Sequence, residues 1–187
     1  ILCGRSADKL AAAAEGLRSH GVQVQAIPCD VRDPQQVDAM VRRGVELFGR
    51  IDGLINNAAG NFLCAAEDLS AGGFDAVVKT VLYGTVYCTQ AVGRHLIERK
   101  AAGSMLSIVT SYAWTGSAFV LPSACAKAGV LAMTRSLAVE WGCYGIRLNA
   151  IAPGPFPTEG AWQRLVPDTA MIENSIQQRV PMARVGE

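Results

Sequence analysis

Apolar positions along the chain follow two rhythms that take turns. Residues 22–28, VQVQAIP, alternate apolar and polar, the period of a strand with one face toward a core. Within the next segment Val37, Met40, Val41, Val45 and Phe48 recur at helical spacing, Asp33 and Pro34 stand at its start and Gly49 at its end. The same alternation extends to the rest of the chain. Residues 8–20 are alanine-rich and predict a helix that Gly21 can end. IDGLIN (51–56), MLSIVT (105–110) and IRLNAIAP (146–153) predict strands, and residues 74–99 and 123–141 predict long helices.

Strands separated by helices imply crossover connections and an α/β fold, a doubly wound parallel sheet of Rossmann type covered on both faces. Neither an internal repeat nor a linker-like stretch divides it, so residues 1–187 are expected to form a single domain. Ligands of such sheets sit beyond the carboxyl ends of the strands. That rule selects Arg5, Asp30, Asn57 with the small residues Ala58, Ala59 and Gly60, the stretch 110–112, and Pro153, Gly154, Pro155 and Phe156. The chain opens on what reads as the tail of a strand, without a start methionine, and stops just after a turn-like segment. It reads as a piece of a longer protein.

Composition narrows the classes. The formal charge is +1 and half the residues are hydrophobic, so no basic stripe suits nucleic acid. No uncharged apolar run reaches the roughly 18 residues of a membrane span, and no secretory signal is visible. Six cysteines lack any C-x-x-C pair, so no metal site is expected. Their apolar surroundings predict small buried hydrophobes, free thiols in a reducing compartment.

The candidate chemistry is concentrated in TSYAWTGSAFVLPSACAKAG, residues 110–129. Ser123 and Lys127 lie four apart at the start of a helix and share a face. Tyr112 follows a strand end. If that helix packs beside the strand, an ammonium faces a phenol, lowers its pKa and equips it to hold a developing oxyanion. Each residue also has a plain reading, the tyrosine as a packed ring and the lysine as a solvated cation.

The motifs CDVRD, INNAAG, SACAKAGVLAMTRSLAVEWG and IRLNAIAPGP, in this order and spacing, resemble the short-chain dehydrogenase/reductase family. Most members carry Tyr-x-x-x-Lys on this helix; here Ser123 fills the tyrosine slot. The usual strand-end serine corresponds to Thr110 and the usual asparagine to Val81. One subgroup, the 2,4-dienoyl-CoA reductases, is similar at each of these departures, with its active tyrosine placed as Tyr112 is. NNAAGNF and PGPFPTEGAWQRL also resemble that subgroup.

The resemblance implies NADPH-dependent reduction of a 2,4-dienoyl-CoA to a trans-3-enoyl-CoA in the oxidation of unsaturated fatty acids. Tyr112 and Asn61 would hold the thioester oxygen, with Ser123 in support. Arg5 and Ser6 would meet the 2′-phosphate, and Asp30 and Val31 the adenine. Asn57, Ala58, Ala59 and Gly60 would run along the cofactor. Lys127 would hold the nicotinamide ribose, with Pro153, Gly154, Pro155 and Phe156 beside the carboxamide. Arg32 and Arg164 would meet the phosphates of an acyl-CoA substrate, with Phe62 and Ser70 along the acyl or pantetheine path. The glycine-rich phosphate turn, the first strand and the last strand of the family are not in this chain. A homotetramer is implied, in a bacterial cytoplasm or in mitochondria or peroxisomes. Plain readings stay open: Arg5 as a surface cation, Asp30 as a helix cap, Asn61 as a turn residue, and Arg32 and Arg164 as ordinary surface charges. Also open are a related reductase of enoyl or 3-ketoacyl thioesters and a non-catalytic cofactor-binding scaffold.

Overall fold

A computed structural model of the chain describes residues 1–156 and 180–186. β1 (Leu2–Gly4) pairs in parallel with β2 (Ala26–Pro28), Leu2 opposite Ala26. β3 (Gly53–Asn56), β4 (Gly103–Ile108) and β5 (Ile146–Ile151) form a second parallel sheet in that order, with Asn56 opposite Ser107 and Ile108 opposite Ile151. The edges of β1 and β3 flank one cavity of about 1050 Å³, on which Met40, Val41, Cys88 and Val92 also border. The order β2-β1, then β3-β4-β5 across that cavity, is the order of a doubly wound sheet, in which a further strand runs between those two edges.

The helices begin where short polar side chains can accept from free amides. Ser6 accepts from the Lys9 amide at 3.4 Å and opens α1 (Ala7–Arg18). Asp33 accepts from Gln35 and Gln36 at 2.9 and 3.3 Å and opens α2 (Pro34–Phe48), which Gly49 ends at φ 76°. The helix expected over 74–99 is one path with an interruption. α3 (Ala71–Val78) passes through a π turn, Lys79–Tyr83, into α4 (Gly84–Glu98). The wider turn carries Val81, at the position of the family's asparagine, into the interior at 1% exposure. α5 (Tyr112–Thr115) is a single helical turn that periodicity did not reveal, and α6 (Leu121–Glu140) follows.

Two buried clusters carry the packing. One joins Val37, Met40, Val41, Cys88, Val92, Leu96, Met105, Trp141 and Ile146; the other joins Val77, Val81, Val109, Ala126 and Val130, with Phe62 against it. Trp141 lies so close to Gly93 that a Cβ there would stand 2.4 Å from its ring.

Three expectations are corrected. The strand over 22–28 shrinks to Ala26–Pro28, because only its end finds ladder partners on β1. Strand residues are not all buried on both faces: Ile55 is 68% exposed, since it borders the cavity. The cysteines are not uniformly buried either. Cys29 and Cys88 are, and burial pushes their thiols up to about 11 and about 12, but Cys3, Cys125 and Cys143 are exposed.

Candidate active site

The end of β4, the α5 turn and the first turns of α6 bring three predicted residues together. α5 and α6 pack on one another, so that Tyr112 Oη and Ser123 Oγ lie 2.9 Å apart. Ser123 is 2% exposed and Lys127 6%, one helical turn apart on one face of α6. The Lys127 ammonium donates to the Ile108 carbonyl at the end of β4. Burial lowers it from 10.5 to about 8. Among the described residues no direct bond joins the phenol to the ammonium. The phenol is engaged by Ser123 and the ammonium by a strand-end carbonyl, which is a better acceptor than a neutral hydroxyl for a desolvated cation. Thr110 Oγ1, between these groups in sequence, is buried and has no hydrogen-bond partner.

The segment after β3 supplies the amide. Asn61 is half-buried, and its Oδ1 accepts from the Phe62 amide at 2.9 Å. That orientation leaves the Nδ2 hydrogens to donate elsewhere. Phe62 packs on the second cluster, and Ser70 caps α3 by accepting from the Gly73 amide at 3.1 Å. Asn57, Ala58 and Ala59 are exposed, Gly60 half-buried.

At the other strand ends, Arg5 is exposed just beyond β1 and Ser6 caps α1. Asp30 and Arg32 are bound to each other: Nε to Oδ1 at 2.9 Å and Nη2 to Oδ2 at 2.5 Å. The Arg32 guanidinium, chiefly through these hydrogen bonds, holds the Asp30 carboxyl below its ordinary value, and partial burial opposes it. The helix cap is Asp33, so Asp30 is not the cap. Val31 is buried against Gly84 and borders the cavity between the sheets. Pro153, Gly154 and Phe156 are exposed beyond β5, and the Pro155 carbonyl accepts from the Gly186 amide at 2.9 Å. Arg164 lies outside the described residues.

Periodicity and motif left two features unseen. Asn56, buried, donates to Thr89 at 3.0 Å and to Ser107 at 3.4 Å, tying β3 to α4 and β4 beneath the Asn57 segment. The Cys64 amide donates to the Phe119 carbonyl at 2.9 Å, joining the Asn61 segment to the approach to α6. Only the first carried a signal, an asparagine closing an apolar strand.

A family model described as enoyl-(acyl carrier protein) reductase matches residues 1–187. The chain belongs to the short-chain dehydrogenase/reductase family. Within this family it is 43% identical over 187 residues to a Bacillus subtilis (strain 168) protein named "Probable 2,4-dienoyl-CoA reductase [(2E)-enoyl-CoA-producing]", covering all of this chain and 73% of that one. It is 38% identical over 194 residues to an Arabidopsis thaliana protein named as a peroxisomal 2,4-dienoyl-CoA reductase, (3E)-enoyl-CoA-producing, of which it spans 64%. A crystal structure of a short-chain dehydrogenase from Bacillus anthracis superposes with a TM-score of 0.86 at 46% identity, over 98% of this chain and 71% of that one. A gluconate 5-dehydrogenase from Burkholderia cenocepacia, solved with NADP and tartrate, gives 0.90 at 29% identity, over 99% of this chain and 71% of that one. The family is one of oxidoreductases on a Rossmann-type fold, and the relatives similar to this chain include proteins named as reductases of acyl-CoA thioesters.

Proposed function

We propose that the protein reduces 2,4-dienoyl-CoA thioesters with NADPH to trans-3-enoyl-CoA, in the oxidation of unsaturated fatty acids. The observation that carries this reading is the Tyr112–Ser123 contact at 2.9 Å. It pairs a phenol on the α5 turn with a serine in the helix slot where most of the family carries its tyrosine. The names borne by the Bacillus and Arabidopsis relatives support the substrate class.

The residues present suit a nicotinamide dinucleotide. Thr110 has a buried hydroxyl without a partner, and Lys127 has two N–H donors beyond the one given to Ile108. Arg5 offers an exposed cation at the end of β1, as a 2′-phosphate requires. When bound, NADPH supplies the hydride. The chain's own groups manage the charge, and one proton, passed from Tyr112 directly or through water to the carbon next to the thioester, completes the reduction. Tyr112 Oη, oriented by Ser123, and Asn61 Nδ2 donate to the thioester oxygen as it becomes an enolate oxygen. Lys127, kept charged by the Ile108 carbonyl, holds ribose hydroxyls and adds positive potential. Arg32 retains Nη1 for a CoA phosphate while Asp30 fixes its plane. Arg164 completes the phosphate contacts, Phe62 and Ser70 line the acyl or pantetheine path, and the assembly is a homotetramer inside the cell.

The test uses the full-length protein with a dienoyl-CoA and NADPH, following loss of reduced nicotinamide and identifying the product double bond. Tyr112→Phe is expected to lower kcat about a hundredfold or more, and Ser123→Ala less. Equal activity in Tyr112→Phe and the unaltered protein refutes the assignment. Turnover of a 2-enoyl thioester alone favours the second reading, suggested by the family model's description.

A further inference from the structure

Phe119 stands between α5 and α6 with φ +64°. That region costs a bulky side chain dearly and admits Gly or Asn far more readily. Packing of the ring does not explain the conformation, since Phe119 is 59% exposed. The carbonyl does. It accepts from the Cys64 amide at 2.9 Å, and among the described residues this is the one backbone hydrogen bond between the 57–65 segment and the 111–120 segment. Asn61 lies three residues before Cys64; Tyr112 and Ser123 flank Phe119 on the other side.

We infer that Phe119 is a positioning residue: its left-handed backbone aims its carbonyl at the Cys64 amide and so fixes the spacing between Asn61 and the Tyr112–Ser123 pair. Two donors that converge on one oxygen must be held to within a fraction of an ångström, and both lie on segments that run on past the paired ends of β3 and β4, beyond the reach of the strand ladder. The positive-φ residue sits where those segments meet. Strain retained at such a junction marks a constraint that the surrounding structure enforces.

The test compares Phe119→Gly, Phe119→Asn and Phe119→Val in the full-length protein. All three lose the ring. Gly and Asn accept left-handed backbone and Val resists it. Hydrogen exchange of the Cys64 amide is expected to stay slow in the Gly and Asn variants and to rise about tenfold or more in the Val variant. The activity arm rests on the dienoyl-CoA reading. There kcat is expected to stay within about threefold of the unaltered protein for Gly and Asn, and to fall about tenfold or more for Val, with NADPH affinity unchanged. If Val prevents folding, Phe119→Ala, with a smaller penalty for this backbone, takes its place. Equal losses in all the variants would assign the effect to the ring and overturn the inference. So would a Cys64 amide equally protected in Val and Gly. The exchange arm needs no substrate, so an unaltered protein inactive on dienoyl-CoA would count against the substrate reading and leave this arm to decide.

Discussion

Lys127→Met separates two opposing contributions of one buried ammonium. Lys127 is 6% exposed, and burial lowers it from 10.5 to about 8. A displacement of that size is about 3 kcal/mol held against the charged form. The variant removes this penalty but also loses the bond to the Ile108 carbonyl, worth about 1–3 kcal/mol. Near neutral pH the two largely offset, and the variant is expected within about 2 kcal/mol of the unaltered protein. The pH dependence tells them apart. Below about 8 the lysine is protonated in both folded and unfolded chains, and the penalty is present in full. Between about 8 and 10.5 the unfolded chain binds a proton that the folded chain does not, so folding of the unaltered protein becomes more favourable as pH rises. Denaturant unfolding of both proteins from about pH 7 to about pH 11 should show the unaltered protein gaining about 3 kcal/mol on the variant, other titrations cancelling in the difference. A flat difference across that range would refute the account of Lys127 as a penalised buried cation. Loss of charge on the same group predicts that kcat of the unaltered protein declines above about pH 8, with no such limb in Lys127→Arg.

Two further outcomes test the scaffold under the site. Gly93→Ala is expected to destabilise the fold by about 1–3 kcal/mol, read from the denaturant midpoint, because its Cβ would stand 2.4 Å from the Trp141 ring. Asn56→Ala should cost about 1–3 kcal/mol by removing the amide that satisfies Thr89 and Ser107, and should speed amide exchange in β3 more than in β5.

Much of the fold was legible in local pattern because each signal was itself local. Asp33, Pro34 and Gly49 mark both ends of α2 by chemistry confined to one turn. The strands 53–56, 103–108 and 146–151 lie within or beside the apolar runs that predicted them. Length was less legible, since a residue is in a strand only while a neighbour pairs with it, and residues 22–24 are not paired with β1. The π turn over Lys79–Tyr83 and the helical turn at Tyr112 left no periodic trace, because each spans about one turn.

The amino-acid order alone determined that strands and helices alternate, that reactive residues collect at strand ends, and that Ser123 and Lys127 share a helix face, for these follow from the periods of the two regular backbones. Tertiary structure decided which groups touch. It gave the phenol of Tyr112 to Ser123, the ammonium of Lys127 to Ile108 and the guanidinium of Arg32 to Asp30, and it set Phe119 in a left-handed backbone to meet Cys64. Arg32 and Asp30 are near neighbours in the chain, but the other partnerships join residues 11 to 55 apart, whose separation says nothing of their distance in space, and burial then chooses among acceptors that a sequence lists as equals.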